Sequence, residues 1–581
     1  MTNKGIEIKY GDVAPEAKEN FRPSTSSSEF ATLHQLQQYN LNFPNYINPC
    51  ELNQMVLNGN GQPFPDTPKD MNVGMISKQI SDDKGVFDNP IIVGFIANEQ
   101  YSSKGITLTF DTHNNTFPKD ISVQWYRNTE LLSSMNFSPN NATYFCQNQV
   151  DNYDAVYITF YNLNMPRNRL KFRAIDYGYG ATFGGDELRN VKLIQEIDPI
   201  STQIAINTAD FVIDSKSNIE YSFQTKQPLS IYFNGKLQAT TFVKKPKRNS
   251  RFLWQIQSED YIGVLDGTQF EGGIYVNKNA IELLTEIFNK AKVPFKVDDA
   301  FQGETITGYI PYTTCRDALM QVVFALQAAV DTSNSDVVNV FALDDTIKQT
   351  VPLNRIMQGQ NFEDEEIVSG VELAAHVYTA SNESVVVYDA IESGIGANIY
   401  VKFAEPLHSL TINNGEILLA STNYAVINAL EGCVLTGKKY EHNILIKRRN
   451  NPVVTSTDLE KTVAIESATL VNPRNVDRVL EKCYNYIVNS GIVNAKIVEG
   501  KHVQYGEPIK YGQKKYGAFK YGERYPSVIT YDEPVAVGDV IQTATEYLGD
   551  IRGRVIKQTF SLNGGVIVKD SVIRQGGTYG I

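Results

Sequence analysis

A helical pattern of apolar residues stands out between Ile306 and Asp331. The positions that recur at helical spacing and form one stripe are Leu319, Val322, Val323, Leu326 and Val330. Thr314 can cap this helix, and Asp317 follows three residues later, where a carboxylate faces the free N–H groups of the first turn. The pattern therefore predicts a helix that begins at Thr314, ends near Asp331 and packs in a core.

Two more helices are predicted by apolar stripes with capping residues. One spans about residues 280–292, with Asn279 as its N-cap. The other begins at Asn472, with this asparagine as the cap and Pro473 in the first turn, and ends near Ser490. Because Cys483 lies on the apolar stripe of this last helix, we expect it to be a core thiol.

Most of the remaining pattern alternates between apolar and polar positions with a period of two. Between residues 21 and 177, three such runs are 106–110, 121–125 and 156–160, separated by turn-forming residues. Alternation of this kind indicates sheets with one buried face, for which a two-sheet sandwich is the natural packing. Trp125 alternates inward and is expected in the core. A glycine-rich joint at residues 177–185 separates this region from the later strands.

Composition and charge narrow the class of protein. The 581 residues include 42% hydrophobic and 20% charged side chains, which is ordinary for a folded chain long enough for several domains. The formal net charge of -12 argues against a general nucleic-acid binder. The first residues lack the apolar segment of a secretory signal, and the longest apolar run, residues 318–330, is too short to span a membrane. We therefore expect synthesis and assembly in a cytosol.

No recognised catalytic or metal-binding motif is present. The five cysteines and six histidines are scattered, with no CxxC pair and no HExxH spacing, and no phosphate-binding loop occurs. We accordingly predict no catalytic residues, no metal site and no cofactor. A basic run at residues 244–251 favours a solvated loop or an interface rim over a nucleic-acid patch, since no aromatic residue lies within it.

The segment from residue 504 to 526 repeats the pair Tyr-Gly at intervals that fit neither a helix nor a strand. Its residues that suit an interface are Tyr505, Tyr511, Tyr516, Tyr521, Lys514 and Lys515. One interpretation is a projecting loop that contacts a neighbouring protein or DNA. The other is a long surface loop without a partner, and the sequence leaves both open.

The sequence motif around the first helix resembles that of a known protein family. A short strand precedes Gly308-x-Ile310-Pro311-x-Thr313-Thr314-x-Arg316-x-Ala318-Leu319, and a helix and a strand at residues 337–343 follow it. This phrase resembles the hub proteins that close phage tail tubes at the baseplate, including the late-control tail proteins of contractile phages. The resemblance covers residues 188–581. It implies two similar β-barrels with an α/β module between them, and a trimer that matches a sixfold tube.

The amino-terminal region is similar to discoidin-like (galactose-binding-like) jelly rolls. The resemblance is carried by the phrases NPCELN, YSSKGITLTFD, ISVQWYR and AVYITFYNLNMPRNRLKFRAIDYG. Many members of that group bind sugars through loops at one end, where aromatic rings stack on sugars and polar groups meet hydroxyls. The candidate carbohydrate-binding residues are Tyr101, Tyr144, Asn162 and Arg167. The alternative is that these four residues pack or solvate the sandwich.

The predicted fold is mainly β with smaller α/β parts, in several domains. The expected parts are a lead-in at 1–20, a carbohydrate-binding-like jelly roll at 21–180, a first hub barrel at 181–275, an α/β module at 276–350, a second hub barrel at 351–465, and a helix with a β domain at 466–581.

The predicted function is that of a non-enzymatic baseplate hub in a phage tail or tail-like particle. A homotrimeric ring would join the sixfold tail tube to the threefold spike or tail tip, with the jelly roll available for sugars. The expected partners are the tube, spike and other baseplate proteins, cell-surface glycans, and DNA only in passage. The particle would be assembled in the bacterial cytoplasm and released by lysis. One alternative is a cell-wall-degrading glycosidase with a carbohydrate-binding domain. Its chemistry needs two carboxylates, and the sequence does not single out a pair among 65 acidic residues. A second alternative is a secreted adhesin, which the missing secretory signal disfavours.

Overall fold

The computed structural model describes most of the chain after residue 73. The described residues are 6–13, 17, 20–24, 74–112, 114–184, 187–215, 223, 225–233, 235–364, 367–454, 461–488, 491–497, 501–505, 526–531, 535–545, 549–563 and 566–575. The chain forms two compact units. The small unit comprises 7–184 and 218–230, and the large unit comprises 1–6, 185–217 and 231–581. The prediction of a mainly β, multidomain protein is confirmed.

The strands up to residue 184 pair in antiparallel fashion around two long strands, Val86–Phe110 and Thr143–Asn162. They are β1 (Ile6–Val13), β2 (Arg22–Pro23), β3 (Met75–Ile76), β4 (Val86–Phe110), β5 (Ile121–Arg127), β6 (Glu130–Phe137), β7 (Thr143–Asn162), β8 (Lys171–Asp176) and β9 (Gly178–Phe183). β4 and β7 pair along most of their length. β5 and β6 extend the sheet beyond β7, β8 pairs with the end of β4, and β1 pairs with β9.

The aromatic core of the small unit joins the two ends of the β4–β7 ladder. Phe160 pairs with Ile91 near the start of β4, yet its ring lies 5.9 Å from the ring of Phe110 at the end of β4. Phe172 of β8 contacts both rings, at 5.6 and 5.5 Å. The long strands therefore bend so that their two ends approach each other across the core of a single seven-stranded sheet, and the predicted two-sheet sandwich stays a prediction. Trp125 is fully buried in this core, as expected.

The rest of the described chain adds twenty-five strands and five α-helices. The strands are β10 (Leu188–Glu196), β11 (Thr208–Asp214), β12 (Pro228–Phe233), β13 (Lys236–Arg248), β14 (Leu253–Glu259), β15 (Gln269–Phe270), β16 (Gly273–Asn279), β17 (Phe295–Val297), β18 (Thr305–Ile310), β19 (Thr313–Thr314), β20 (Ala329–Asp331), β21 (Val338–Phe341), β22 (Ile347–Val351), β23 (Asn361–Asp364), β24 (Gly370–Asp389), β25 (Gly396–Lys402), β26 (Leu407–Ala420), β27 (Tyr424–Asn450), β28 (Thr462–Ile465), β29 (Gly491–Ile497), β30 (Lys501–Tyr505), β31 (Pro526–Tyr531), β32 (Val540–Thr545), β33 (Gly549–Asn563) and β34 (Val566–Gln575). The described α-helices are α1 (Tyr261–Asp266), α2 (Ala280–Ala291), α3 (Cys315–Leu326), α4 (Ala390–Ser393) and α5 (Val476–Ile487), and 3-10 turns occur at Asp299–Phe301 and Leu353–Arg355.

One sheet of the large unit joins early and late parts of the sequence. Its strand order is β23-β29-β34-β33-β10-β11-β14-β13, with β32 on β33 and β22 parallel to β32. The joining ladder is antiparallel, and it sets Leu193 of β10 opposite Phe560 of β33. Strands that the sequence predicts in separate parts, 181–275 and 466–581, are thus hydrogen-bonded neighbours.

A second, five-stranded sheet is built on the long pair β24 and β27. Its order is β25-β27-β24-β28, and β26 also pairs with β27. Helix α5 lies beside this pair, where Lys447 of β27 donates to Asp477 at 2.6 Å and the guanidinium of Arg449 lies 4.3 Å from the ring of Tyr484. The sheet and α5 form the frame of both surfaces considered below.

The α/β module contains α2 and α3, and their predicted caps are present. Asn279 accepts hydrogen bonds from Ile281 N–H at 2.9 Å and Glu282 N–H at 3.1 Å, and Thr314 accepts one from Asp317 N–H at 3.1 Å. The predicted end of the second of these helices near Asp331 is wrong. α3 ends at Leu326, because Gln327 takes a left-handed conformation and the chain then forms β20 against β21.

The predicted start of the last helix at Asn472 is also wrong. α5 begins at Val476. Asn472 instead closes a turn: its side-chain oxygen accepts from Arg474 N–H at 2.9 Å, and its own N–H donates to the side chain of Asn475 at 2.8 Å. A short asparagine side chain can stabilise a turn as readily as a helix cap. Cys483 is buried, as predicted for a core thiol, and the predicted end at Ser490 lies outside the described residues.

Candidate interaction surface and cleft

The described residues hold no group of three or more histidine, cysteine or acidic side chains placed to bind a metal ion. Within the same part of the chain, no helix combines the length and the hydropathy needed to cross a membrane.

The outer strand of the five-stranded sheet has an open edge. From Tyr440 to Asn450, one side of β27 pairs with β24, between Ala380↔Tyr440 and Gly370↔Asn450. On the other side, β26 stops at the pair Leu407↔Lys439, and no described strand continues it. We call residues 440–450 the β27 edge. Its outward N–H and C=O groups have no strand of the described chain beside them, which is a ready template for another strand.

Apolar side chains crowd the middle of the β27 edge. Ile444, Leu445 and Ile446 are consecutive, and their exposed fractions are 54%, 50% and 58%. Successive side chains of a strand point to opposite faces, so three exposed neighbours mean that both faces are open to solvent here. Burying each such side chain would contribute about 1.5–3 kcal/mol if it were fully covered.

Other exposed apolar side chains lie on the strands of the same sheet and in the α4 segment that connects two of them. Val386, Tyr400, Leu418, Leu419 and Leu430 are on the strands, whereas Ile391 lies in α4 and Ile395 follows it. Single exposed apolar residues are common on proteins, but a run of them along one sheet is typical of an interaction surface.

A cleft of about 510 Å³ lies on the far side of α5. Five residues of α5 line it at helical spacing: Arg478, Glu481, Lys482, Asn485 and Tyr486. The opposite face of the helix is buried, so α5 presents its polar face to this space. The facing walls come from Pro199 and Ile200, Phe301, the end of α3, and residues 342–345. We call this space the α5 cleft.

The electrostatics of the α5 cleft centre on Lys482. Its ammonium group donates a hydrogen bond to the main-chain oxygen of Gln327, the residue that ends α3. Burial lowers the pKa of Lys482 to about 8, because the charged form loses hydration. The side chain is therefore still mainly protonated at neutral pH.

Tyr101 and Tyr144, two of the predicted sugar-binding residues, contact the small unit's own rings. The Tyr101 ring lies 5.6 Å from that of Phe21, and its hydroxyl donates to Glu99 at 3.2 Å. Tyr144 lies edge-on to Phe137 at 6.4 Å. Both rings are partly buried against the core, which leaves only part of each ring for a ligand.

Asn162 and Arg167, the other two candidates, lie near the carboxyl end of β7. Asn162 accepts from the N–H groups of Lys119 and Asp120, both at 3.0 Å, and donates to the Asp120 carboxylate at 2.7 Å. Arg167 is exposed and forms an ion pair with Asp83. Sugar binding at these positions stays a prediction.

The structure describes the basic run at 244–251 but only the two ends of the Tyr-Gly segment at 504–526. The run at 244–251 mostly lies on β13 rather than on a loop, where Lys244 pairs with Glu259 and Arg248 lies over the Trp254 ring at 5.2 Å. Of the predicted interface loop, Tyr505 is the last residue of β30, which pairs with β31. The others, Tyr511, Tyr516, Tyr521, Lys514 and Lys515, lie outside the described residues.

Sequence reasoning missed the β27 edge and Lys482. The run Ile444-Leu445-Ile446 breaks the alternation of a half-buried strand, and that break was the available signal. No comparable local signal marks Lys482, because its surroundings come from segments near residues 199, 327 and 345.

Comparisons with known proteins find similar solved structures at low sequence identity. No family model matches the chain, and no curated protein matches its sequence. Among solved structures, the chain is similar to a 43 kDa tail protein of prophage MuSo2 from Shewanella oneidensis, with 9% identity, 68% of this chain and 93% of the other covered, and a TM-score of 0.38. A tail protein from Neisseria meningitidis MC58 overlaps with 10% identity, 68% and 97% coverage, and a TM-score of 0.39. Prophage tail protein gp18 from Listeria monocytogenes EGD-e overlaps with 10% identity, 69% and 92% coverage, and a TM-score of 0.35. Scores at this level do not by themselves assign a function.

Proposed function

We propose that this chain is a structural hub subunit of a phage tail or tail-like particle. It assembles as a homotrimeric ring that joins a sixfold tail tube to a threefold spike or tip, and its small unit offers a surface for cell-surface sugars. The observation that carries the proposal is the β27 edge, an open strand edge with three exposed apolar residues in a row.

An edge of this kind favours contact with another polypeptide. The outward main-chain groups at its centre, beside which no strand of the described chain lies, can pair with a neighbouring strand, and its apolar side chains gain free energy when they leave water. A protein that stays monomeric usually blocks such an edge with charge, proline or a bulge. Charged residues lie within this edge at Glu441 and at Lys447, Arg448 and Arg449, but its centre, Ile444–Ile446 in the sequence, carries none.

Closed symmetry supports a ring rather than an open aggregate. In the proposed ring the β27 edge meets a different surface of the neighbouring copy, so the contact is heterologous, and such contacts close when the rotation divides a full turn. Three copies with two similar barrels each would present six related surfaces to a tube, as the resemblance to tail hubs implies.

The local structure of the resembling phrase also supports the proposal. β18, the Thr314 cap, α3 and β21 follow one another in the order that the hub resemblance implies. Arg316 of the phrase donates to the main-chain oxygen of Ile204 at 2.8 and 2.6 Å. The arginine thus ties the α/β module to the loop after β10, which is a structural rather than a catalytic task.

The oligomeric state tests the proposal directly. Light scattering on the purified full chain should give three times the monomer mass, and electron microscopy should show a ring with a central opening.

The double variant Ile444→Lys/Ile446→Lys should yield folded monomers, because two ammonium groups on one face of the β27 edge would be buried without partners. Val276→Lys is the matched control, since Val276 is 72% exposed and lies outside the five-stranded sheet. A wild-type chain that remains monomeric at high concentration would rule out the ring.

A further inference from the structure

Two residues that line the α5 cleft, Gln327 and Lys482, carry hydrogen-bond donors that the described fold uses only in part. Lys482 has three N–H donors, and its hydrogen bond among the described residues goes to the main-chain oxygen of Gln327. The side-chain nitrogen Nε2 of Gln327 is buried, and within the described chain it has no hydrogen-bond partner. A buried donor without a partner costs free energy, so an acceptor that enters the cleft would be stabilised there.

The other charged side chains that line the cleft already form ion pairs. Arg478 pairs with Glu304 at 3.5 Å, and Asp345 pairs with Arg554 at 2.6 Å. Glu481 forms an ion pair with Arg449. Lys482 differs, because its hydrogen-bond partner among the described residues is a neutral carbonyl. The ammonium is offset by the partial negative charge at the end of α3 and, without an ion pair among the described residues, by the fields of Asp345 and Asp198.

Asp198 is the remaining carboxylate near Lys482, and its oxygens are engaged in its own loop. One oxygen accepts from Ile200 N–H at 3.0 Å. The other accepts from the Thr202 hydroxyl at 2.6 Å and from Gln203 N–H at 3.1 Å. Among the described residues, Lys482 is therefore a cation of the cleft without a carboxylate at hydrogen-bonding distance.

The shape of the cleft suits a carboxylate on an apolar stem. Ile200, Phe301 and Leu343 contribute apolar wall on the sides that face α5. A cation and an amide donor within apolar walls select a carboxylate, since ionic hydrogen bonds strengthen away from water.

The cleft adjoins the β27 edge through α5. Arg449 lies in the β27 edge, and its ion-pair partner Glu481 lines the cleft. A polypeptide that covers the edge therefore passes beside the cleft. Copies of this chain are acidic, with a formal net charge of -12, so a second copy supplies carboxylates to a site that needs one.

We propose that the α5 cleft receives an aspartate or glutamate side chain from the neighbouring copy of this chain, held by Lys482 and by Nε2 of Gln327. This inference rests on the proposed function, because the ring brings the neighbouring copy to the β27 edge. It adds a specific polar contact to an edge that would otherwise be recognised by apolar burial alone.

A zero-length cross-link tests the contact without any substitution. Carbodiimide joins an amine to a carboxylate only when the two are in contact. Trimers mixed from unlabelled and ¹⁵N-labelled full-length chains distinguish links between copies from links within one copy. The expected result is a peptide pair in which Lys482 of one copy is joined to an acidic residue of another. A trimer in which Lys482 links only to its own chain, or not at all, overturns the inference and leaves the ring standing.

Substitution of the lysine gives the second measurement. Lys482→Met keeps the aliphatic stem and removes the charge, and it should raise the dissociation constant of the trimer about tenfold, the usual order for a hydrogen bond to a charged group. Lys482→Arg should retain most of the affinity, and Lys296→Met, at an exposed position outside the cleft, should change nothing. Equal dissociation constants for Lys482→Met and wild type overturn the inference alone, whereas a monomeric wild type overturns both the ring and the cleft contact.

Discussion

Atom Nδ1 of His376 lies 2.9 Å from Nε2 of His442, and the two rings are nearly parallel. Nε2 of His376 also lies 3.0 Å from the main-chain oxygen of Glu466, which can only accept. His376 therefore carries its proton on Nε2 and accepts from His442 through Nδ1. Burial, together with the neighbouring His442, lowers the pKa of His376, in keeping with a neutral ring.

This histidine pair predicts a loss of stability in mild acid. Because the pKa of His376 in the folded chain is lower than its ordinary value of about 6.5, the unfolded chain takes up a proton on this ring at a higher pH than the folded chain does. The unfolded state then binds more protons, so the free energy of unfolding falls as the pH drops below that value. Thermal unfolding of the wild type and His376→Gln between pH 8 and pH 5 should show a smaller acid loss in the variant. His408→Gln is the control, and an acid loss that is equal in all three chains would contradict the prediction.

Asp260 is a buried carboxylate whose pH effect has the opposite sign. It caps α1 by accepting from Ile262 N–H at 3.0 Å, and it accepts from the Thr332 hydroxyl at 2.6 Å. Burial raises the pKa of Asp260 to about 7. Between about pH 4 and pH 7 the folded state then holds a proton that the unfolded state releases, so the free energy of unfolding falls as the pH rises through this window.

Two substitutions at Asp260 separate its charge from its hydrogen bonds. Asp260→Asn should remove the pH dependence and keep the cap, whereas Asp260→Ala should lower the free energy of unfolding by about 1–3 kcal/mol through lost bonds to buried groups. Denaturant titrations at pH 5 and pH 7 measure both effects. Asp299→Asn, at an exposed position, provides the baseline, and a pH slope that survives in Asp260→Asn would show that another group is responsible.

Gly308 of the resembling phrase is predicted to tolerate no side chain. Its φ angle is +146°, and a Cβ atom there would lie 2.6 Å from the main-chain oxygen of Thr469. Gly308→Ala should therefore cost about 1–3 kcal/mol and loosen the contact between β18 and residues 467–472. Hydrogen exchange should become faster in those residues. Gly267→Ala, where φ is -79° and the nearest atom is 3.6 Å away, should leave both stability and exchange unchanged.

Sugar binding by the small unit predicts separable effects at its candidate residues. Arg167→Ala removes an exposed side chain and should abolish glycan binding by the full chain without changing its unfolding temperature, if Arg167 meets sugar hydroxyls. Tyr101→Ala should weaken binding and also stability, because the ring packs on Phe21. A glycan array with both variants, and with Tyr161→Ala as an exposed aromatic control, measures this. A wild-type chain that binds no glycan would remove the sugar module from the proposal.

Local capping and alternation could be predicted from sequence. Asn279 and Thr314 cap their helices because a cap depends on donors within two or three residues. Trp125 is buried because alternation along a strand fixes which side faces the core. The same rules misplaced the start of α5, since Asn472 had an equally local alternative in a turn.

The sequence by itself determined the mainly β class, the helix caps and the apolar faces, because each depends on neighbours within a few residues. Only the tertiary structure decided that β10 pairs with β33, that β26 stops short and opens the β27 edge, and that Lys482 meets the end of α3. These features join residues far apart in the chain. Their stability depends on which segments become neighbours, and no local pattern encodes that choice.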